Sequence, residues 1–259
     1  MLEDEKYGIC HICGFEGKLS FEHIPPKSAF NDKPVNIIKL DKVKFDIDKN
    51  DLKKSKIQQR GAGGYTLCEK CNNNTGKWYG DYFKYFCDNG KKILELSNNN
   101  PNLIYLYKIN PLPILKQIIT MFFSINSNKF RQLYKDLVFF VLNKEKKYLP
   151  PKYRFFIYYN IEGYIRNSPS YGIFNIETNQ SIFGTEINFP PFGYSMTFNS
   201  QAPDERLVEI THFSRYSYDE TVTLSLKLPV LPTHLLLPGD YRTKKEINEN
   251  RLKSEKYMK

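Results

Sequence analysis

The sequence has no apolar run that approaches the roughly 18 to 20 residues needed to cross a bilayer. Its first ten residues, MLEDEKYGIC, are acidic rather than a basic stretch leading into an apolar one. Neither membrane insertion nor secretion is signalled, and the expectation is a cytoplasmic protein. Cysteine is scarce, with five among 259 residues. Without a secretory leader, five thiols argue against a disulfide framework, because intracellular thiols stay reduced. Acidic residues are in deficit: 28 Asp and Glu face 38 Lys and Arg, for a formal charge of +10. Such an excess favours a polyanionic partner, since neutralising phosphates releases condensed counterions. A disordered chain is excluded by the 41% hydrophobic and 15% aromatic content.

The charge is uneven, at about +2 over residues 1–90 and about +8 over the remainder, of which about +4 follows Tyr241. Much of any electrostatic grip is therefore expected outside the first third. A length of 259 residues fits one large domain or two ordinary ones. The pattern divides near residue 90. In YGICHICGFEGK, Gly8, Gly14 and Gly17 supply the turn positions of a short knuckle that presents thiols. Leu19 and Phe21 then alternate with polar residues until Pro25 and Pro26 stop any ladder, so a short strand should end near His23. Residues 32–60 are polar and lysine-rich and are expected to form a long excursion. GAGGYTL reads as a turn and a brief strand. A helix should begin around Cys68 and Cys71, because Tyr79, Tyr82, Phe83, Phe86 and Cys87 repeat at three and four residues. That helix should close at Asn89 and Gly90 or continue to Leu96.

Beyond the polar SNNNPN, the runs PLPILKQIITMFF and KFRQLYKDLVFFVLN have helical periodicity, with Asn143 ending the second. From Tyr153 onward YRFFIYY, YGIFNI, SIFGTEI, FGYSMTF, LVEITHF and TVTLSLKL are short β-prone runs. The expectation is an α+β protein: a zinc-stapled module over residues 1–90, then a helical link and a mainly antiparallel β domain over 91–259. The aromatics Phe155, Phe156, Tyr158, Tyr159, Tyr216 and Tyr218 suit an antiparallel core, with base stacking as the alternative. His212 and His234 have no acidic or thiol companion at ligand spacing and read as structural.

Cys10-x-x-Cys13 and Cys68-x-x-Cys71 have the spacing that lets both thiolates of each pair reach one tetrahedral ion. Four thiolates leave no open position for water, so a zinc ion there holds the fold and any catalytic metal sits elsewhere. His11 reads as a surface residue of the knuckle, and Cys87 as a small buried hydrophobe.

Between the thiol pairs stands Glu22-His23-Ile24-Pro25, and Asn72 follows the last thiol. The order Cys-x-x-Cys, acid-His-Ile-Pro, Leu-Cys-x-x-Cys-Asn resembles the HNH endonuclease family over about the first third of the chain. The resemblance implies a ββα-metal fold in which Glu22 and Asn72 bind a catalytic Mg²⁺ or Mn²⁺ and His23 is the general base against a DNA phosphodiester. RNA is a second candidate substrate. Imidazole suits that role near neutral pH, and carboxylate and amide oxygens suit hard cations. The chain departs from the family at three points. Glu22 stands where most members carry Asp. The middle asparagine that orients the base should fall near Gly63, where a backbone carbonyl would have to replace it. Neighbours in a regular strand also face opposite sides, so Glu22 and His23 must flank the ion or the chain must bend. Lys27, Lys70 and Lys77 are candidate phosphate contacts, although single lysines in a basic chain are more often solvated. Asn73 and Asn74 read as helix-end residues. The competing reading is a non-catalytic zinc knuckle that binds nucleic acid or protein. A third reading is a nuclease whose residues 91–259 form a sensor domain for a protein or small-molecule partner, by analogy with bacterial defence or mobile-element systems.

Overall fold

The computed structural model of the protein describes residues 6–38, 55–101, 103–175 and 179–257. Of the excursion expected over residues 32–60, residues 39–54 lie outside the described residues.

The alternation around Leu19 and Phe21 becomes the middle of a small sheet. β1 (Lys6–Ile9) and β2 (Glu16–His23) form an antiparallel hairpin with Lys6 opposite Leu19 and Ile9 opposite Glu16. β3 (Val35–Ile37) and β4 (Lys56–Gln58) pair only with each other, as a two-stranded ribbon. β5 (Gly63–Cys68) then returns to the other side of β2, with His23 opposite Gly63, giving the order β1-β2-β5. The ladder shifts register between Ser20 and Phe21.

α1 (Glu69–Leu96) leaves β5 without a loop. Glu69 in its first turn complements the positive end of the helix dipole. Its periodic face is buried as expected at Tyr79, Phe83, Phe86 and Cys87, each full burial of a large apolar side chain stabilising by about 1.5–3 kcal/mol. Gly90 does not end this helix, which runs on to Leu96. A Cβ at Gly90 would lie 2.2 Å from the Phe192 ring, so glycine there serves the close passage of helix over sheet. Four residues earlier Phe86 stacks on Phe192 at 4.7 Å. One contiguous hydrophobic cluster runs from Cys10 and Leu67 through α1 to Tyr194 and Leu228.

The second half has the mixed α+β, antiparallel character expected. β6 (Tyr105–Ile109), which the sequence pattern did not disclose, precedes α2 (Pro111–Ile125), a helix buried along nearly its whole length. Proline at its first positions suits helix entry, where an amide donor is dispensable. The second expected helix is broken at Tyr134 into α3 (Phe130–Leu133) and α4 (Lys135–Leu142). Buried Lys116 of α2 donates to the carbonyls of Phe140, Asn143 and Lys144, satisfying the end of α4.

β7 (Tyr153–Tyr159), β8 (Arg166–Asn175), β9 (Gln180–Phe189), β10 (Phe192–Phe198) and β11 (Val208–Glu209) form an antiparallel sheet in the order β11-β7-β10-β9-β8. LVEITHF is a two-residue strand followed by a 3₁₀ turn, Thr211–Arg215. β12 (Val222–Leu226) pairs with β6 rather than joining that sheet. The basic end of the chain carries α5 (Lys244–Tyr257), also unforeseen. Buried Arg166 and Glu186 pair at 2.6 Å and bind the segment after β12, through the carbonyls of Leu235 and Leu237 and the amide of Gly239. Phe155, Phe156, Tyr158 and Tyr159 are at most 2% exposed, which makes them core and leaves them no face for a base. No helix among the described residues is long and apolar enough to cross a membrane.

Candidate metal centre and neighbouring strand site

The knuckle between β1 and β2 closes through the Cys10 amide, which donates to the Phe15 carbonyl at 2.8 Å, and the Gly14 amide, which donates to Cys10 at 3.0 Å. It brings Cys10 and Cys13 against Cys68, at the end of β5, and Cys71, in the first turn of α1. The four Sγ atoms all lie within 4.8 Å of one another, and those of Cys13 and Cys68 are 3.7 Å apart. A tetrahedron with metal–sulfur bonds of about 2.3 Å has edges of about 3.8 Å, so the sulfurs are spaced for one zinc ion and not for disulfides. The Phe15 amide donates to Cys13 Sγ at 3.4 Å, the kind of outer contact that stabilises a thiolate. Cys10 accepts a hydrogen bond from Cys71, which holds its thiol down at about 4 and pushes the Cys71 thiol up. The donor set can hold zinc. His11 is more than a surface residue of the knuckle: it is half-buried, and its ring hydrogen-bonds the Phe123 carbonyl at 3.2 Å, tying the knuckle to α2.

β2 carries the second site. The rings of Phe21 and His23 meet edge-to-face at 5.0 Å, so these two share one face of the strand and Glu22 between them takes the other. Glu22 is 6% exposed and has no hydrogen-bond or ion-pair partner among the described residues. Burial pushes its carboxyl up to about 8. His23 is half-buried; loss of solvent lowers its pKa and nearby Lys27 lowers it further, while a hydrogen bond to the Arg60 backbone opposes both. The imidazole is accordingly neutral at pH 7.

Asn72, one turn into α1, donates from Nδ2 to Ser20 Oγ at 3.0 Å and to the Phe21 carbonyl at 3.3 Å. Its Oδ1 accepts nothing among the described residues. The helix start is thus pinned to β2 next to Glu22, with an amide oxygen to spare. Asn73 is exposed and Asn74 half-buried, both in the interior of α1 rather than at its end. Lys27, Lys70 and Lys77 are exposed. His234 faces Glu162 at 3.5 Å and His212 packs edge-on against Phe213, far along the chain from this site.

Gly63, opposite His23, has no room for a side chain: a Cβ would lie 2.1 Å from the Glu22 carbonyl oxygen. An asparagine cannot stand there in this backbone, and the His23 ring instead donates to the main chain of Arg60. The sequence reading missed the residue that shapes this corner. Fully buried Asn31 donates to the carbonyls of Pro25 and Ala62 and accepts from the Ala62 amide, each at 2.7 Å, joining the turn after His23 to the start of β5. Its signal was only an asparagine after two prolines, just ahead of the polar excursion. Asn31→Leu should leave two buried polar groups unsatisfied, the Pro25 carbonyl and the Ala62 amide, since the Ala62 carbonyl keeps the Ile24 amide, and cost roughly 2 kcal/mol or more in urea unfolding, at about 1–3 kcal/mol per group. A loss under about 1 kcal/mol would show that the turn is held by other means.

Compared with family models, with curated proteins and with solved structures, the chain matches none of them.

Proposed function

We propose that the N-terminal unit is a metal-dependent endonuclease of the HNH kind, hydrolysing DNA phosphodiesters. The observation that carries the reading is Glu22. A carboxylate taken out of water without a cation or donor costs several kcal/mol, and a fold keeps one where a ligand supplies the missing charge. The Glu22 carboxylate and the Oδ1 of Asn72, whose amide is pinned to the neighbouring Phe21 carbonyl, would offer oxygen donors that suit Mg²⁺ or Mn²⁺ with waters completing the shell. A divalent ion bound there supplies positive charge to the scissile phosphate and to the leaving oxygen.

His23 has the protein's part in the chemistry. Held by the Arg60 main chain and neutral at pH 7, the imidazole takes a proton from water as the water oxygen bonds to phosphorus and the bond to the 3′ oxygen breaks. Water then protonates the leaving oxygen, giving a 5′-phosphate and a 3′-hydroxyl. The four-cysteine cluster does not itself distinguish this enzyme from a zinc knuckle that only binds; a buried, unpartnered Glu22 near Asn72, followed in sequence by His23 on the other face of β2, favours the enzyme.

The test is plasmid nicking with Mg²⁺, Mn²⁺ or EDTA, for the parent and for Glu22→Gln. The parent should nick only with a divalent ion, and Glu22→Gln should need far more of it. The same substitution should stabilise the metal-free fold. A carboxyl whose folded pKa is raised keeps its proton in the fold and loses it in the unfolded chain between pH 4.5 and about 8, so stability falls as pH rises through that window. Removing the penalty should gain up to about 3 kcal/mol at pH 7. A parent that never nicks, or a Glu22→Gln protein no more stable than the parent, would count against the assignment.

A further inference from the structure

We infer that the β3–β4 ribbon, with Arg60 at its root, is the arm by which this unit grips duplex DNA; this rests on the nuclease reading for its purpose but not for its test. The ribbon is inserted between the two strands that carry the site. The chain leaves β2 at His23, runs out through β3, returns through β4 and re-enters the sheet at Gly63, directly opposite His23. Whatever the ribbon holds is therefore held beside the proposed base.

Its root is locked. Asn31 ties the outgoing chain to Ala62, and Gln58 Nε2 donates to the Gly63 carbonyl at 3.2 Å and to that of Gly61. Its outer part is not core: Ile37 is 38% exposed and Ile57 59%, and Lys33, Asn36, Lys56 and Gln59 are exposed. A lone two-stranded ribbon is marginal in water, so a stiff mounting for one is unexplained without an occupant.

Charge identifies the occupant. The described residues of the ribbon and its root, 33–38 and 55–60, include Lys33, Lys56 and Arg60 and no Asp or Glu, whereas residues 1–32 and 61–90 contain six Lys and Arg against nine Asp and Glu. The ribbon is thus basic on an otherwise acidic unit. Arg60 adds direction: its guanidinium lies 5.9 Å from the Phe21 ring centre and 3.5 Å from the Tyr65 hydroxyl, on the face of β2 that bears His23. A guanidinium on that face is a donor group that suits phosphate oxygens. Two strands about 4.8 Å apart fit the major groove of B-form DNA, about 12 Å wide, and not the deep, narrow major groove of A-form RNA.

The experiment measures binding of the full-length protein to a 30-base-pair DNA duplex in EDTA across a salt series. The triple variant Lys33→Gln, Lys56→Gln, Arg60→Gln is compared with Lys108→Gln, Lys135→Gln, Lys227→Gln, exposed lysines outside the ribbon. Arg60→Gln keeps the main-chain hydrogen bond to His23, and zinc content and melting temperature check that both variants fold. The ribbon variant should bind roughly tenfold or more weakly at low salt, with a log–log salt slope shallower by about 0.9 for each phosphate no longer neutralised. The control should behave as the parent. An unchanged slope in the ribbon variant, or an equal weakening in the control, overturns the inference. An RNA duplex of the same sequence that competes as well as DNA overturns the choice of occupant. Ribbon-dependent binding by a parent that never nicks plasmid would defeat the nuclease reading and leave this one standing.

Discussion

Stripping the four-cysteine site, or replacing Cys68 with serine, should unfold the first unit and not merely slow it. The three-stranded sheet is small, and β1 reaches the rest of the unit through a hairpin whose knuckle ends at the thiols. Cys68 is 5% exposed at the junction of β5 and α1, so it holds both the strand end and the helix start. Four-thiolate zinc sites in small units contribute about 10–16 kcal/mol of apparent binding energy at pH 7, and that energy is folding energy where the empty site does not persist. Removing one ligand forfeits much of it, more than the roughly 5–15 kcal/mol net stability of an ordinary domain can absorb. One zinc per chain should be found by elemental analysis of the parent. Cys68→Ser should contain none, lose near-ultraviolet circular dichroism from Phe21 and Tyr65, and become sensitive to proteolysis between residues 6 and 68. A zinc-free protein that melts at the parent's temperature would mean that the hydrophobic cluster shared with α1 suffices.

The thiol pairs were legible in the sequence because a tetrahedral ion constrains spacing tightly, and the structure brings all four sulfurs together. The stripe along α1 was legible for a similar reason, since 3.6-residue periodicity survives any tertiary setting. Gly90 left the helix end open between residue 90 and Leu96 because its role is set by Phe192, about a hundred residues away, and no local pattern carries that contact. β6 and β12 were hard to place for the same reason. Each is a short strand whose partner is distant, and β12 reads no differently from the strands of the larger sheet. At the candidate site the side chains were named, and a main-chain carbonyl was expected in place of the middle asparagine, but which residue supplies it was not legible. The tie between His23 and the Arg60 backbone, and the exclusion of any side chain at Gly63, are properties of the paired strands. Asn31 stayed hidden because asparagine in a polar stretch ordinarily faces water, and only the fold shows it fully buried.

His23→Ala should reduce plasmid nicking by about 10² to 10⁴, the usual effect of removing a general base, while leaving zinc content and duplex binding as in the parent. The separation follows from position. His23 ends β2 on the face away from Glu22 and is no member of the thiol cluster, so its removal disturbs neither the thiol cluster nor the proposed divalent-ion site. What it gives up in the fold is the edge-to-face pairing with Phe21, worth about 0.5–1.5 kcal/mol, which should appear as a small fall in melting temperature. A structural role would show the reverse proportion, with a large fall in stability and a slower rate explained by unfolded protein. Added imidazole distinguishes the two further. If the missing group is a base, free imidazole entering the space left by the side chain should restore part of the rate in proportion to its concentration, and it should do nothing for Glu22→Gln, where the metal ligand is absent. Nicking by His23→Ala at the parent's rate under saturating Mg²⁺ or Mn²⁺ would remove His23 from the chemistry and leave a zinc-bound nucleic-acid-binding unit as the better account of the same strands.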